Sequence, residues 1–219
     1  MNPLVRHTDC TLVLPPRYMG SIAYYGLMAR YGRVIVDTGL RHDKRQKAVH
    51  RCDIADTRGP VSLTVPLAKP SDPSAPNTWA SWRISTHDEW WRQHRISLES
   101  AYGRTPFFEF LFDRFEHLFR SPADWAQWPS AIDFDREADA IIRDILGFEN
   151  EVIWADAHGE ASLADGELAE VDIEAALAAP TPPYWQIRAD KLGFIPGLSI
   201  VDLIFNLGPE APLYLDNNF

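Results

Sequence analysis

Three features predict an α/β fold: an opening that alternates strand, helix and strand, two antiparallel β-rich pieces after a basic turn, and a second half with helical apolar spacing. The expected sheet is mixed. It opens with a βαβ unit, continues in a hairpin and gives way to a helical half, with α+β as the alternative architecture.

The elements follow in order. "CTLVL" at 10–14 reads as a strand, "PPRYMGS" as a loop, "IAYYGLMARYG" as a helix and "RVIVD" at 33–37 as a second strand. Strands joined by a crossover helix run parallel. Ligands are then expected beyond their carboxyl ends, at the "PPRYMGS" loop and just after Asp37. "AVHRCDI" (48–54) and "VSLTVPL" (61–67) form a hairpin, followed by the loop "AKPSDPSAPNTW" and a short strand "SWRIS". Thr86, with Glu89 three residues on, is placed to cap a helix over 88–102. Residues 106–120 and 133–147 read as two more helices, the second ended by Gly147. "GFIPGLSIVDLIFNLGPEA" carries a last apolar helix stopped by Gly208 and Pro209.

With 219 residues, 46% hydrophobic and 24% charged, the chain suits a single domain over 1–219. The acidic stretch 157–183 reads as a mobile insertion holding at most one short helix. No run approaches the ~18 apolar residues of a spanning helix, and the N-terminus lacks a signal-peptide pattern, so the expected location is cytoplasmic. Cys10 and Cys52 are too few for a disulfide framework. A net charge of −10 argues against a nucleic-acid partner. That charge is uneven: residues 131–179 carry 14 acidic and 2 basic side chains, while the first 60 carry 10 basic and 5 acidic. The local field of the first part suits an anionic small molecule.

Candidate chemistry starts at His94 in "DEWWRQHRISLESAYGRTPFFEF". Trp90, His94, Leu98 and Ala101 share one helix face, so His94 is either a satisfied core residue or a working one. A catalytic His94 borders an open cleft with a carboxylate in reach; a structural one is closed over by Trp90, Leu98 and Tyr102. "RHDKRQKAVHR" (41–51) holds the densest positive charge, through Arg41, Lys44, Arg45, Lys47 and Arg51, and offers several donors to a phosphate or carboxylate. His50 shares a strand face with Cys52 and Ile54 and points inward. Asp37 ends an apolar parallel strand, where a carboxylate orients a histidine or hydroxyl. Asp202, three residues after Ser199, has an ordinary capping job as its competing role. There is no GxGxxG, GxxxxGK[ST] or GxSxG, and no HxxxH or HxH pair. A metal site is not expected, and no cofactor is indicated.

The order of segments resembles the WbqC-like family, found among genes for bacterial surface polysaccharide and O-antigen synthesis. The resemblance is carried by "IAYYGLM…VIVD" (22–37), "DKRQKAVHRCDI" leading into "GPVSLTVPL" (59–67), "WWRQHRISLESAYGRTPFFEF" (90–110) and "GFIPGLSIVDLIFNLGPEAPLYL" (193–215). It implies transfer of glycine or another acyl group onto an amino sugar. By position, His94, Lys44, Arg51 and Asp202 fall on residues of the family pattern. His50 stands where that pattern has asparagine, and His42 replaces an aromatic residue.

Two readings result. In an acyl or aminoacyl transferase, His94 takes the proton of a sugar amine. Asp37, Asp202 and His50 complete the catalytic set, and Lys44, Arg45, Arg51, Tyr25 and Tyr102 bind an activated acyl donor or nucleotide sugar. In a non-catalytic accessory protein, the same groups bind the nucleotide sugar without chemistry, and tryptophans stack on sugar rings or pin interfaces. "GLSIVDLIFNLG" packs either within one chain or across a homodimer.

Overall fold

The computed structural model describes residues 7–125, 128, 130–156 and 167–219. Strand β1 (His7–Leu14), helix α1 (Ile22–Ala29) and strand β2 (Tyr31–Asp37) make the expected βαβ unit, with β1 and β2 parallel and Leu12 opposite Val34. The hairpin follows as β3 (Arg51–Asp56) and β4 (Gly59–Thr64), joined across Thr57 and Arg58. Two short strands, β5 (Leu67–Ala68) and β6 (Arg83–Ile84), pair with each other.

The helical half holds α2 (Trp90–Tyr102), α3 (Phe108–Phe112), α4 (Pro122–Trp125) and α5 (Ala131–Ile145). Strands β7 (Glu151–Ala155) and β8 (Glu167–Leu168) then return to the sheet, before α6 (Ile173–Leu177), α7 (Ala189–Leu192), α8 (Ile200–Leu207) and α9 (Ala211–Asn218).

The main sheet has the order β7-β2-β1-β8, and its pairs are all parallel. This is an α/β protein, but the hairpin stands as a separate sheet rather than making the main one mixed. β7 takes the outer edge of β2 and β8 that of β1, so neither β3 nor β4 pairs with the opening unit. Leu12, Leu14, Val34, Ile35 and Val36 are all buried, as expected of strands covered on both faces.

Local chemistry explains the helix boundaries. Thr86 makes no side-chain cap; the chain enters α2 instead through Asp88 and Glu89, both left-handed at φ 59° and 46°. The helix expected over 106–120 is broken into α3 and a tight turn at Glu116–Phe119. Phe108, Phe112, Phe115 and Phe119 are all buried and keep the spacing of one helix face, but after Phe112 the backbone tightens to three-residue bonds, Arg114 N–H to Leu111 O at 3.2 Å and Phe115 N–H to Phe112 O at 2.8 Å. Ser130 caps α5, accepting from the Asp133 N–H at 3.1 Å, and left-handed Gly147 follows its end.

Of the acidic stretch, 157–166 lies outside the described residues. The remainder supplies β8 and α6, whose Ile173 and Leu177 pack on the core. Helix α8 is buried within the chain from Ile200 through Asn206, including Asp202 and Asn206, which share one face. Its packing is thus intramolecular, which removes it as a dimer interface. Gly208 stops it at φ 51°, where a Cβ would meet the Phe107 ring at 2.4 Å. No helix among the described residues is long and apolar enough to cross a membrane.

Candidate functional site

The loop between β1 and α1 is where the fold concentrates polar backbone. Ser21 caps α1 by accepting the Tyr24 N–H at 3.3 Å, and Ser199 caps α8 by accepting the Val201 N–H at 3.4 Å. The two caps are bridged: Ile22 N–H reaches Leu198 O at 3.1 Å, and Ile200 N–H reaches Gly20 O at 2.9 Å. Ser199 Oγ also donates to Met19 O at 2.6 Å. Two helix N-termini therefore begin side by side, each with partial positive charge. Met19 is held at φ 42°, a conformation of order 1–3 kcal/mol above the ordinary wells that persists only where its surroundings enforce it.

A cavity of 230 Å³ opens here, lined by Arg17, Ser21, Arg51, Cys52, Gly197 and Ser199 among others. Arg51 is steadied by Thr64, whose Oγ1 accepts its Nε–H at 3.0 Å. Arg17 is different. It is half-buried, and its guanidinium has no hydrogen bond or ion pair among the described residues. Burial lowers its proton affinity, while Tyr24 and Glu174 act in the opposite direction. It remains a cation, because guanidinium does not lose its proton in proteins. Arg17 also lines a neighbouring cavity of 290 Å³, with Leu14, Asp37, Leu40, Gln46 and Glu174. That second space lies past the carboxyl ends of β1 and β2.

Asp37 is buried, and its Oδ1 accepts the Gly39 N–H at 2.9 Å. His94 lies elsewhere. Buried at 3% exposure, its Nδ1 stands 3.1 Å from the Tyr18 hydroxyl and its Nε2 3.1 Å from the Thr64 carbonyl. The carbonyl can only accept, so Nε2 carries the proton and Nδ1 accepts from Tyr18. Trp90 meets it edge-on at 5.0 Å and Phe119 closes at 6.1 Å. Burial drives its pKa down to about 4, against the opposing Thr64 bond. The ring is neutral at pH 7, with no carboxylate bonded to it. His94 instead fastens Tyr18, a residue of the cavity wall, to the hairpin.

Asp202 is equally enclosed. It accepts from the Tyr184 hydroxyl and from Gln186 Nε2 at 3.1 Å, while the Tyr102 hydroxyl accepts the Ala55 N–H at 3.2 Å beside it. Burial raises the proton affinity of the Asp202 carboxyl, and these donors oppose it. Capping belongs to Ser199. Tyr25 is likewise a core residue, donating to Asp139 Oδ1 at 3.0 Å. Tyr25, Tyr102 and His94 therefore spend their polar atoms inside the fold, Asp202 is enclosed with Oδ1 left without a hydrogen bond, and Asp37 and Arg51 line cavities.

The basic segment spreads out. Arg45 is tied to Asp43 at 2.9 Å and projects into solvent. Lys44 and Arg45 line a recess of 670 Å³ with Leu40, His42, Gln46 and Asn77. His50 is half-buried, with Nδ1 3.1 Å from Val65 O, and burial is the chief cause holding both His42 and His50 below their ordinary values. No cluster of three or more His, Cys, Asp or Glu side chains suited to a metal ion occurs among the described residues.

Cys52 lines the first cavity, yet burial pushes its thiol far up, with Asp53 and Asp135 adding to it. It is protonated at neutral pH and a poor nucleophile. A thiol-specific reagent is expected to modify Cys10 in the native protein and Cys52 only on unfolding. Prompt native labelling of Cys52, read by mass spectrometry of the peptides, would reopen a covalent route.

Arg17 was missed by sequence reasoning. The loop that holds it is named by its place after the first strand, but nothing in "PPRYMGS" separates this arginine from a solvated one.

Fold and site together define a parallel α/β protein whose cationic cavity lies between two helix N-termini at the carboxyl edge of its sheet. A family model described as the WbqC-like protein family matches residues 16–160, about two thirds of the chain. This protein belongs to the WbqC-like protein family. The matched span takes in Arg17, Asp37, Arg51 and His94 and leaves out the α8 segment that closes the cavity. No curated protein and no solved structure matches the chain.

Proposed function

We propose that this protein binds an anionic small molecule, a nucleotide-linked sugar or an activated acyl donor, at the Arg17 cavities. In keeping with the resemblance to proteins of surface polysaccharide synthesis, it would serve that pathway in the cytoplasm. The observation that carries this reading is Arg17: a half-buried guanidinium with no hydrogen bond or ion pair among the described residues, opposed only at longer range by Glu174, and facing two cavities. Such a charge is stabilised by an anion from outside the chain. Arg51 supplies further donors, and the paired N-termini of α1 and α8 add a positive field.

Binding is the reading best supported, because His94 has both ring nitrogens engaged and no path to a substrate amine. Transfer of an acyl or aminoacyl group to an amino sugar draws on one observation. Asp37 lines the second cavity beside Arg17, where a carboxylate can take the amine proton while the guanidinium holds the donor's anionic end.

A thermal-shift series on wild type and Arg17→Met, with pyrophosphate, acetyl-CoA, ATP with glycine and a panel of nucleotide sugars, separates these readings. Ligand binding to the folded state raises Tm by mass action. An upward shift with an anionic ligand, absent in Arg17→Met, supports the binding site; no shift with any of them would sink it. If acyl product forms with the stabilising donor and Asp37→Asn abolishes it while binding persists, the transferase reading gains the lead.

A further inference from the structure

A second built recess lies on the loops that carry His42 and Trp82. Those loops are zipped by backbone bonds, His42 N–H to Asn77 O at 2.9 Å and Trp79 N–H to Leu40 O at 3.1 Å. The Asn77 side-chain oxygen then fixes the indole of Trp82 through Nε1–H at 3.2 Å. His42 lies flat on Trp82, with ring centroids 3.8 Å apart and planes 10° from parallel, and Trp79 backs His42 at 4.4 Å. The recess measures 390 Å³ and is lined by His42, Lys44, Lys69, Asp72, Asn77 and Trp82 among others.

The charges around this platform are uncommitted cations. Neither Lys44 nor Lys69 has a hydrogen bond or ion pair among the described residues. The one carboxylate, Asp72, is occupied by Ser74, accepting its N–H at 2.8 Å and its hydroxyl at 2.7 Å. A rigid aromatic stack presents ring surface without entropic loss on binding. Two ammonium groups beside it favour an anion on the same ligand.

We propose that this recess binds a nucleoside phosphate, with the base stacked on Trp82 and the phosphates between Lys44 and Lys69. The inference deepens the anion-binding reading and rests on it only for the ligand's direction. The recess shares His42, Lys44 and Asn77 with its neighbour, whose Leu40 and Gln46 also line the cavity of Arg17 and Asp37. A group attached to the terminal phosphate therefore runs toward Arg17.

Calorimetric titration of wild type, Trp82→Leu, the double variant Lys44→Ala/Lys69→Ala and Arg17→Met with UDP, ADP and inorganic pyrophosphate tests this. The expected result is that a nucleoside diphosphate binds wild type about tenfold or more tighter than pyrophosphate, as a stacked base contributes. Trp82→Leu should erase that advantage and leave pyrophosphate binding unchanged. Nucleotides binding no tighter than pyrophosphate, or keeping their advantage in a folded Trp82→Leu, would overturn the proposal. If Trp82→Leu does not fold, the exposed lysine pair decides, and unchanged nucleotide affinity there is equally fatal. Unchanged pyrophosphate binding by Arg17→Met counts against the Arg17 site alone.

Discussion

His94→Ala is expected to lower stability by about 3 kcal/mol, because it opens a cavity and leaves the Tyr18 hydroxyl and Thr64 carbonyl without partners in a closed space. For a chain of this size that is a fall in Tm of roughly 6–12 °C. His94→Gln, which can restore one of the two bonds, should lose less.

The pH dependence gives a second readout. The folded-state pKa of His94 is depressed to about 4 from an ordinary 6.5. Above the ordinary value neither state is protonated, and the residue adds no pH dependence. As pH falls from 6.5 toward 4, the unfolded chain takes a proton that the folded protein refuses, and stability declines by up to about 3 kcal/mol. Buried Asp135, Asp139 and Asp202, whose carboxyls are raised, act with the opposite sign: their contribution is fully present below the ordinary carboxylate pKa and fades as pH rises. The informative quantity is therefore the difference between wild type and His94→Gln in chemical denaturation across that window. A difference that does not change with pH would show that His94 is not the enclosed neutral ring described above.

Arg17→Met separates function from folding. Methionine keeps the unbranched apolar stem and removes the charge, and no ion pair among the described residues is broken. Tm should hold or rise, since a half-buried cation with no hydrogen bond or ion pair among the described residues is removed. Pyrophosphate affinity should fall about 10- to 100-fold, the equivalent of charge-assisted hydrogen bonds worth about 1.5–3 kcal/mol. Binding should also weaken more steeply with salt in wild type than in the variant. Equal affinities would remove Arg17 from the site, and a large fall in Tm would make it a structural residue.

The βαβ opening was legible because alternation of "CTLVL", "IAYYGLM" and "RVIVD" is a local signal that burial on both faces imposes. The stripe of Trp90, His94, Leu98 and Ala101 was legible for the same reason, and all four are buried. What the stripe could not reveal was which polar atoms meet the imidazole. Tyr18 lies 76 positions away and Thr64 30, and no local pattern encodes such partners. The cap at Thr86 fails because Asp88 and Glu89 turn left-handed to swing Trp90 inward, where its Nε1 donates to Ser85 O at 2.8 Å. The break after Phe112 was not legible, because the phenylalanines at 108, 112, 115 and 119 keep helical spacing across it.

Alone, the sequence determined the α/β class, the parallel opening unit and the family resemblance, because these follow from short-range periodicity and residue order. Tertiary structure alone decided that His94, Tyr25 and Tyr102 are satisfied inside the fold, that Asp202 is enclosed with Oδ1 left without a hydrogen bond, that Arg17 has no hydrogen bond or ion pair among the described residues, and that α8 brings its N-terminus against that of α1. The physical reason is that a side chain's role depends on whether its polar atoms find partners. Those partners arrive from distant segments only once the chain has folded.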